Sequence, residues 1–336
     1  MDDLISNLIS NYDFQVKKIG RCRGAIGIFC QGEMYTLREF NGSERHLKFE
    51  KQLLENMSEQ SDLYFDEIVA DRDGELLSQD MYGKKYVARK SYQSKDFDIK
   101  NPGNILKGAR ILGLLHKHFE MGIPDGVNLG EFFHKETMSK PLTVEFERKN
   151  RELKRTKNFI IRKNNRNRFE SMALESFDDF YNDGYKVCEM ARSGEIANYV
   201  SESVKKEKLI HSDYNYHNIL FPDKGRPYFV TNFDRVKIGI QIRDLYDYLR
   251  KTMEKYKWDE KTGYGIIEEY GKVINLTKDD ITYLKIKVMY PEKYWKILNH
   301  YNNNNKFWLP DKDTAKLIKA VSERKLRINF ANRILM

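Results

Sequence analysis

Residues 211–220 read HSDYNYHNIL; FPDKGRPY follows at 221–228 and FVTNFD at 229–234. This stretch predicts a polar loop, a strand ending at Leu220 or Phe221, a turn through Asp223, Lys224 and Gly225, and a second strand. It is a hairpin with polar groups at both ends. Kinase-type phosphoryl transfer needs a carboxylate near the attacking hydroxyl, a metal ligand a few residues on, and another metal ligand on the next strand. His211-x-Asp213-x4-Asn218 supplies the first two parts at that spacing. The third should be an Asp in an apolar strand, and the residue is Asn232. An Asp and an Asn five apart usually just cap a turn. Here, however, an apolar strand follows Asn218 and another precedes Phe233-Asp234, which favours an active-site skeleton with one member altered.

The chain has 336 residues and is 40% hydrophobic, enough to bury a core in one large or two ordinary domains. The charged fraction of 32% and a negative mean hydropathy predict a soluble protein. No run approaches the roughly 18 apolar residues of a membrane span, so no membrane partner is expected. The N-terminal MDDLISNLISNY carries acids where an export signal has a basic segment, which predicts synthesis in the cytoplasm. Cys22, Cys30 and Cys188 have no metal-ligand spacing and cannot all pair. Cys22 and Cys30 fall on neighbouring strand segments and would be able to meet, although reduced thiols are expected in the cytosol. Of 59 Lys and Arg and 50 Asp and Glu, ten and one lie between Arg148 and Arg168, leaving 49 of each elsewhere. The whole excess of +9 sits in that segment.

The hairpin motifs resemble those of the CotS-type spore coat proteins, which share the fold of aminoglycoside phosphotransferases and choline kinases. The family's usual form is C-H-G-D-x4-N-[IV]-[LI], then I-I-D-F-D, then R-x-x-D-L. The corresponding residues are Ile210-His211-Ser212-Asp213 to Asn218-Ile219-Leu220, then Val230-Thr231-Asn232-Phe233-Asp234, then Ile242-Arg243-Asp244-Leu245. WDEKTGYGIIEEY from Trp258, YPEKYWKILNHYNNN from Tyr290 and ERKLRINF from Glu323 are similar to the family's C-terminal third. The resemblance implies an α+β, bilobal protein kinase-like fold. A small antiparallel-sheet N-terminal lobe would occupy residues 1–92, and a larger, mainly helical C-terminal lobe carrying the catalytic-loop-like hairpin would occupy 93–336.

Before the hairpin, residues 1–12 predict a helix with Leu4, Leu8 and Ile9 on one face. Phe14 to Ile19, Ala25 to Cys30 and Met34 to Phe40 predict strands, with a hairpin turn at Gln31-Gly32-Glu33. Gly20, Gly24 and Gly27 lie where a phosphate-covering loop would be, although glycines at strand ends usually just make turns. Under the resemblance Arg38 takes the place of the Lys that pairs a nucleotide's phosphates, and a planar fork on a longer stem is not a neutral exchange. A helix capped by Ser43 follows. Its Glu50 matches the carboxylate that holds the strand Lys, so the resemblance implies an Arg38–Glu50 pair at the nucleotide site. Strands at Glu75 to Asp80 and Lys85 to Arg89 complete five in the small lobe. The crossing at Lys90 to Asp98 carries Tyr92 and Phe97, where adenine would stack in an active relative.

Gly103 to His118 predicts a helix whose His116 matches the family's L-A-x-L-H and orients a backbone loop. The basic segment, with Leu153, Phe159, Ile160 and Ile161 among its charges, fits a helix with one hidden face. It reads as solvated surface or as the site of an acidic partner such as another coat protein. Nucleic acid is not the expected partner, because aromatic interleaving is absent. Helices are expected at Ser176 to Met190, at Glu195 to Ser203 and through the last ninety residues, with a polar loop at Asn302 to Asn305. The resemblance gives Asp244 a structural role in bracing the loop around His211.

Magnesium prefers oxygen ligands with one or two carboxylates, and both matched ligands, Asn218 and Asn232, are neutral amides. Asp234, two residues along the same expected strand, offers a displaced carboxylate. Asp213 keeps the position of the base. The reading that follows is a kinase-like protein deposited in the spore coat after synthesis in the mother-cell cytoplasm, with a degenerate phosphotransferase site and no cofactor. The alternatives are an enzyme using ATP and Mg²⁺ to phosphorylate a hydroxyl or amino compound, and a basic scaffold for polyanions.

Overall fold

The computed structural model describes residues 2–22, 24–59, 63–91, 95–123, 126–133, 141–221, 228–303 and 311–334. The expected turn at Asp223, Lys224 and Gly225, the crossing residue Tyr92, and Asn304 and Asn305 lie outside these. The chain packs into two compact units, Met1–Met138 with Lys208–Ile238, and Ser139–Glu207 with Gly239–Met336.

In the first unit, α1 (Asp2–Ser10) precedes β1 (Val16–Cys22), β2 (Ala25–Cys30), β3 (Met34–Glu39) and α2 (Glu44–Glu59). Then come β4 (Tyr64–Phe65), β5 (Glu67–Val69), β6 (Leu77–Gln79), β7 (Lys85–Ser91), β8 (Lys95–Asp96) and α3 (Pro102–Gly122). β9 (Leu209–Ile210), β10 (Ile219–Phe221), β11 (Phe229–Val230) and β12 (Lys237–Ile238) complete it. The main sheet runs β1-β2-β3-β7-β5, antiparallel throughout, with β6 also paired to β7. β5 is not among the strands expected from the sequence.

Alternation along β7 assigns its side chains to two faces. Tyr86 and Ala88 join Ile28, Leu37, the α1 residues Leu8 and Ile9, and Tyr12 just after α1 in one core cluster. Val87 joins Phe40, Ile68 and the α2 residue Leu47 in another. Arg89, two residues beyond Val87, therefore belongs to the α2 face, and so does Arg38, which sits opposite Val87 in the β3–β7 register. Cys22 stands opposite Ala25 and Cys30 opposite Val16, at the two ends of the β1–β2 hairpin. They do not meet, and all three cysteines are free thiols.

The central hairpin does not close on itself alone. β11 pairs in parallel with β4, and β10 pairs with β8. These pairings carry residues 208–238 into the first unit, so packing divides the chain differently from a boundary at residue 92.

The second unit is helical: α4 (Leu142–Ile161), α5 (Arg168–Ala191), α6 (Gly194–Lys205), α7 (Ile242–Met253), α8 (Glu260–Gly271), α9 (Lys278–Met289), α10 (Glu292–Asn303), α11 (Asp311–Ser322) and α12 (Arg324–Arg333). Its core joins Leu153 and Ile160 of α4 with Phe169, Phe177 and Phe180 of α5 and Tyr294, Leu298 and Tyr301 of α10. Residues 148–161 of the basic segment lie on α4, with Leu153 and Ile160 buried, and its last residues lead into α5. Asn167 caps α5 in a capping box with Glu170 and ends the continuity. No helix among the described residues is long and apolar enough to cross a membrane.

Candidate functional site

The loop after β9 is held by His211, which is fully buried. The backbone N–H of Asp213 donates to its Nδ1 at 3.3 Å, so Nε2 carries the proton and donates to the carbonyl of Thr231 at 3.0 Å. One neutral imidazole thus ties the loop to the end of β11. Ser212 adopts φ +64°, which explains why the related motif has glycine at this position. Asn218 donates its amide to the Asp213 carbonyl at 2.9 Å, and Asn215 does the same at 2.7 Å. These two bonds close an Asx-type turn over Asp213, and they use the Asn218 Nδ2 rather than its Oδ1.

β11 ends at Val230. Asn232 takes the left-handed conformation, φ 73° and ψ 56°, and Phe233–Arg235 forms a single 3-10 turn. The regular strand expected through Asp234 is therefore absent. Asp234 is not a displaced copy of position 232. Its two oxygens accept from Arg89 Nη2 at 2.6 Å and from Arg38 Nη1 at 3.3 Å.

The expected Arg38–Glu50 pair is also replaced. Glu50, fully buried on α2, accepts from Arg89 Nη1 at 2.7 Å. The reason is lateral: α2 packs over β4 and β5, on the β7 side of the sheet, so its carboxylate meets β7 rather than β3. Burial would depress the Arg89 guanidinium, but Glu50, Asp234 and Asp66 outweigh it and hold the group firmly protonated. Arg89 and Asp66 are the two site residues that sequence reasoning missed. Both signals were present, as a charge within apolar YVARK and another within LYFDEIV.

Asn232 is the hinge of the network. Its Nδ2 donates to Asp213 Oδ2 at 3.0 Å, and its Oδ1 accepts from Arg38 Nη1. The orientation is forced, because a flipped amide would set oxygen against carboxylate and N–H against guanidinium. Its backbone N–H donates to Asp66 Oδ2 at 2.6 Å. An amide serves both neighbours at once. A carboxylate here would satisfy Arg38 and face Asp213 as a like charge unless a cation lay between them.

The residues present do not fit magnesium. The Asn232 Oδ1, the atom a metal would take, is held by Arg38, and Asp234 is engaged by two guanidinium groups. Asn218 donates its Nδ2–H to Asp213, which leaves a neutral amide oxygen as its sole contribution to a metal, and no group of three or more His, Cys, Asp or Glu able to hold a metal occurs among the described residues. Phe97 is buried against Phe221 and Tyr216, with ring centroids at 5.2 and 6.1 Å. His116 is fully buried on α3 beside Phe119. Asp244 is fully buried in the first turn of α7, in the second unit.

Burial pushes the Asp66 carboxyl up to about 6, against the pull of Arg89 and the Asn232 N–H. A folded-state value above the unfolded one means that the native state binds the proton more tightly. Stability from this group is therefore greatest below about pH 4 and is lost as pH rises through about 6, by roughly 2–3 kcal/mol. Asp66→Asn should remove that slope. Melting temperatures of wild type and variant between pH 4 and 7 should separate as pH rises, wild type losing stability that the neutral amide keeps, and parallel curves would contradict the assignment.

No family model matches the sequence, and no curated protein matches it. Solved structures do. An aminoglycoside phosphotransferase from Alicyclobacillus acidocaldarius superposes with a TM-score of 0.82 at 15% identity, over 98% of this chain and 94% of that one. A spectinomycin phosphotransferase in complex with ADP and spectinomycin gives 0.65 at 13% identity, over 99% and 98%. An amicoumacin kinase in complex with AMP-PNP and Ca²⁺ gives 0.56 at 12%, over 99% and 93%. At these identities the likeness establishes the fold. The antiparallel-sheet N-terminal region and mostly helical remainder are those of the bilobal, kinase-like aminoglycoside phosphotransferases.

Proposed function

We propose that this chain is a kinase-fold protein of the spore coat that acts through its shape and surface, its phosphotransfer site having been closed into a metal-free ionic network. The observation that carries the loss of chemistry is the Asn232 amide bridging Asp213 and Arg38. It satisfies the two side chains without the cation that a carboxylate would require. The coat assignment is supported by the motifs around His211, Asn232 and Asp244 and by the C-terminal stretches from Trp258, Tyr290 and Glu323. In this reading the protein is made in the mother-cell cytoplasm, joins other coat proteins and needs no cofactor.

A second reading is favoured by the solved structures, which are named as phosphotransferases and kinases of aminoglycosides, spectinomycin, aminopropanol and amicoumacin. It makes the chain an ATP- and Mg²⁺-dependent phosphotransferase with Asp213 as base. Phosphate release from γ-labelled ATP, with and without aminoglycosides and small amino alcohols, separates the two. Wild type should stay at the level of buffer hydrolysis, whereas metal-dependent turnover would overturn the structural reading. A doubly restored Arg38→Lys, Asn232→Asp chain is the comparison.

A further inference from the structure

Along one face of α4 and its C-cap, Arg151, Lys154, Arg155 and Arg162 recur at helical spacing with Asn158 and Phe159 among them. With Asn302 of α10 they line an open groove of about 640 Å³. From first to last the stripe covers about 16 Å of helix at ~1.5 Å per residue.

The other basic residues of the segment are mostly engaged within the fold. Arg148 pairs with Glu152 at 2.6 Å, and Lys157 with Asp178 at 2.7 Å. Lys149 is buried between Glu145 and Glu292, and Lys163 is bonded to Glu170. Arg166 closes the end of α4 through the carbonyls of Ile160 and Ile161. The groove cations differ. Lys154, Arg155 and Arg162 make no ion pair among the described residues. Among the described residues, the carboxylate paired with Arg151 is Glu147 at 3.9 Å, which Arg192 already holds at 2.9 Å. Lys154 stands over the Tyr181 ring at 5.4 Å, but like charges three and four residues apart on a helix repel one another, and among the described residues no carboxylate beyond Glu147 lies beside this set.

We propose that this stripe is the docking surface for an acidic segment of a partner polypeptide. Guanidinium forks take carboxylates in bidentate pairs, and a groove of this length receives about five residues of extended chain at ~3.3 Å each. Half-buried Phe159 offers apolar contact between the charges. Nucleic acid fits less well. The chain's excess of basic residues is confined to the segment from Arg148 to Arg168, and among the described residues Phe159 is the one aromatic lining the groove. The surface is independent of whether the Asn232 site turns over.

Fluorescence anisotropy with labelled decaglutamate tests this on the full chain. Arg151→Glu, Arg155→Glu and Arg162→Glu together should weaken binding by about tenfold or more at ~50 mM salt. Lys17→Glu, Lys18→Glu and Arg21→Glu on exposed β1, an equal change of charge, should stay within about twofold. Arg155→Gln with Arg162→Gln should weaken binding in the same direction, and covers the case in which charge reversal unfolds α4. No binding by wild type, equal binding by the groove and β1 variants, or tighter binding of oligothymidylate than of decaglutamate at the same salt would overturn the proposal.

Discussion

Replacing Arg89 by alanine should destabilise the protein by about 3–5 kcal/mol, the usual cost of removing one partner from a buried ion pair. Arg89 is the cation shared by fully buried Glu50 and half-exposed Asp234, and it also offsets Asp66. Without it the Glu50 carboxylate remains in the interior, where its second oxygen already lacks a hydrogen-bond partner. Arg89→Lys should recover only part of the loss, since a single ammonium cannot reproduce a fork that reaches two carboxylates. Arg89→Met combined with Glu50→Gln should recover more, because the double change removes the buried charges together. Urea unfolding midpoints measure all three. A loss below about 1 kcal/mol for Arg89→Ala would place the pair among surface salt bridges and contradict its burial.

The contrast between what the sequence predicted and what the fold contains follows from how far each feature reaches. The hairpin, the Gly32 turn, α2 after Ser43 and α3 are legible because local pattern and turn chemistry decide them. The partner of Glu50 is not local. It depends on where α2 lies across the sheet, and a shift of one strand exchanges Arg38 for Arg89. A regular strand would set Asp234 on the same side as Asn232, and the left-handed backbone at Asn232 breaks that strand. That backbone is compatible with Asn, one of the few non-glycine residues that adopt it readily. Spacing alone does not distinguish Asn as a metal ligand from Asn as a bridge. The distinction requires knowing that Asp213 lies on one side and Arg38 on the other.

Asn232→Asp should carry the second large effect. The new carboxylate keeps Arg38 but can no longer donate to Asp213, which it faces as a like charge. Without divalent cation the variant should be less stable by about 1–3 kcal/mol. The penalty should shrink below about pH 5, where two adjacent carboxyls share a proton. Millimolar Mg²⁺ should restore the loss in the variant and leave wild type unchanged. Equal melting temperatures for variant and wild type, with and without Mg²⁺, would mean that the amide bridge is not what closes the site.

The central claim, that the site is complete without a metal nucleotide, is met most directly by following the melting temperature of the wild-type chain through a titration with ATP and Mg²⁺. Saturating ligand at 100 times its dissociation constant would add about 2.7 kcal/mol of stability. The account predicts a flat response with and without Mg²⁺. A saturable rise that EDTA abolishes would contradict it.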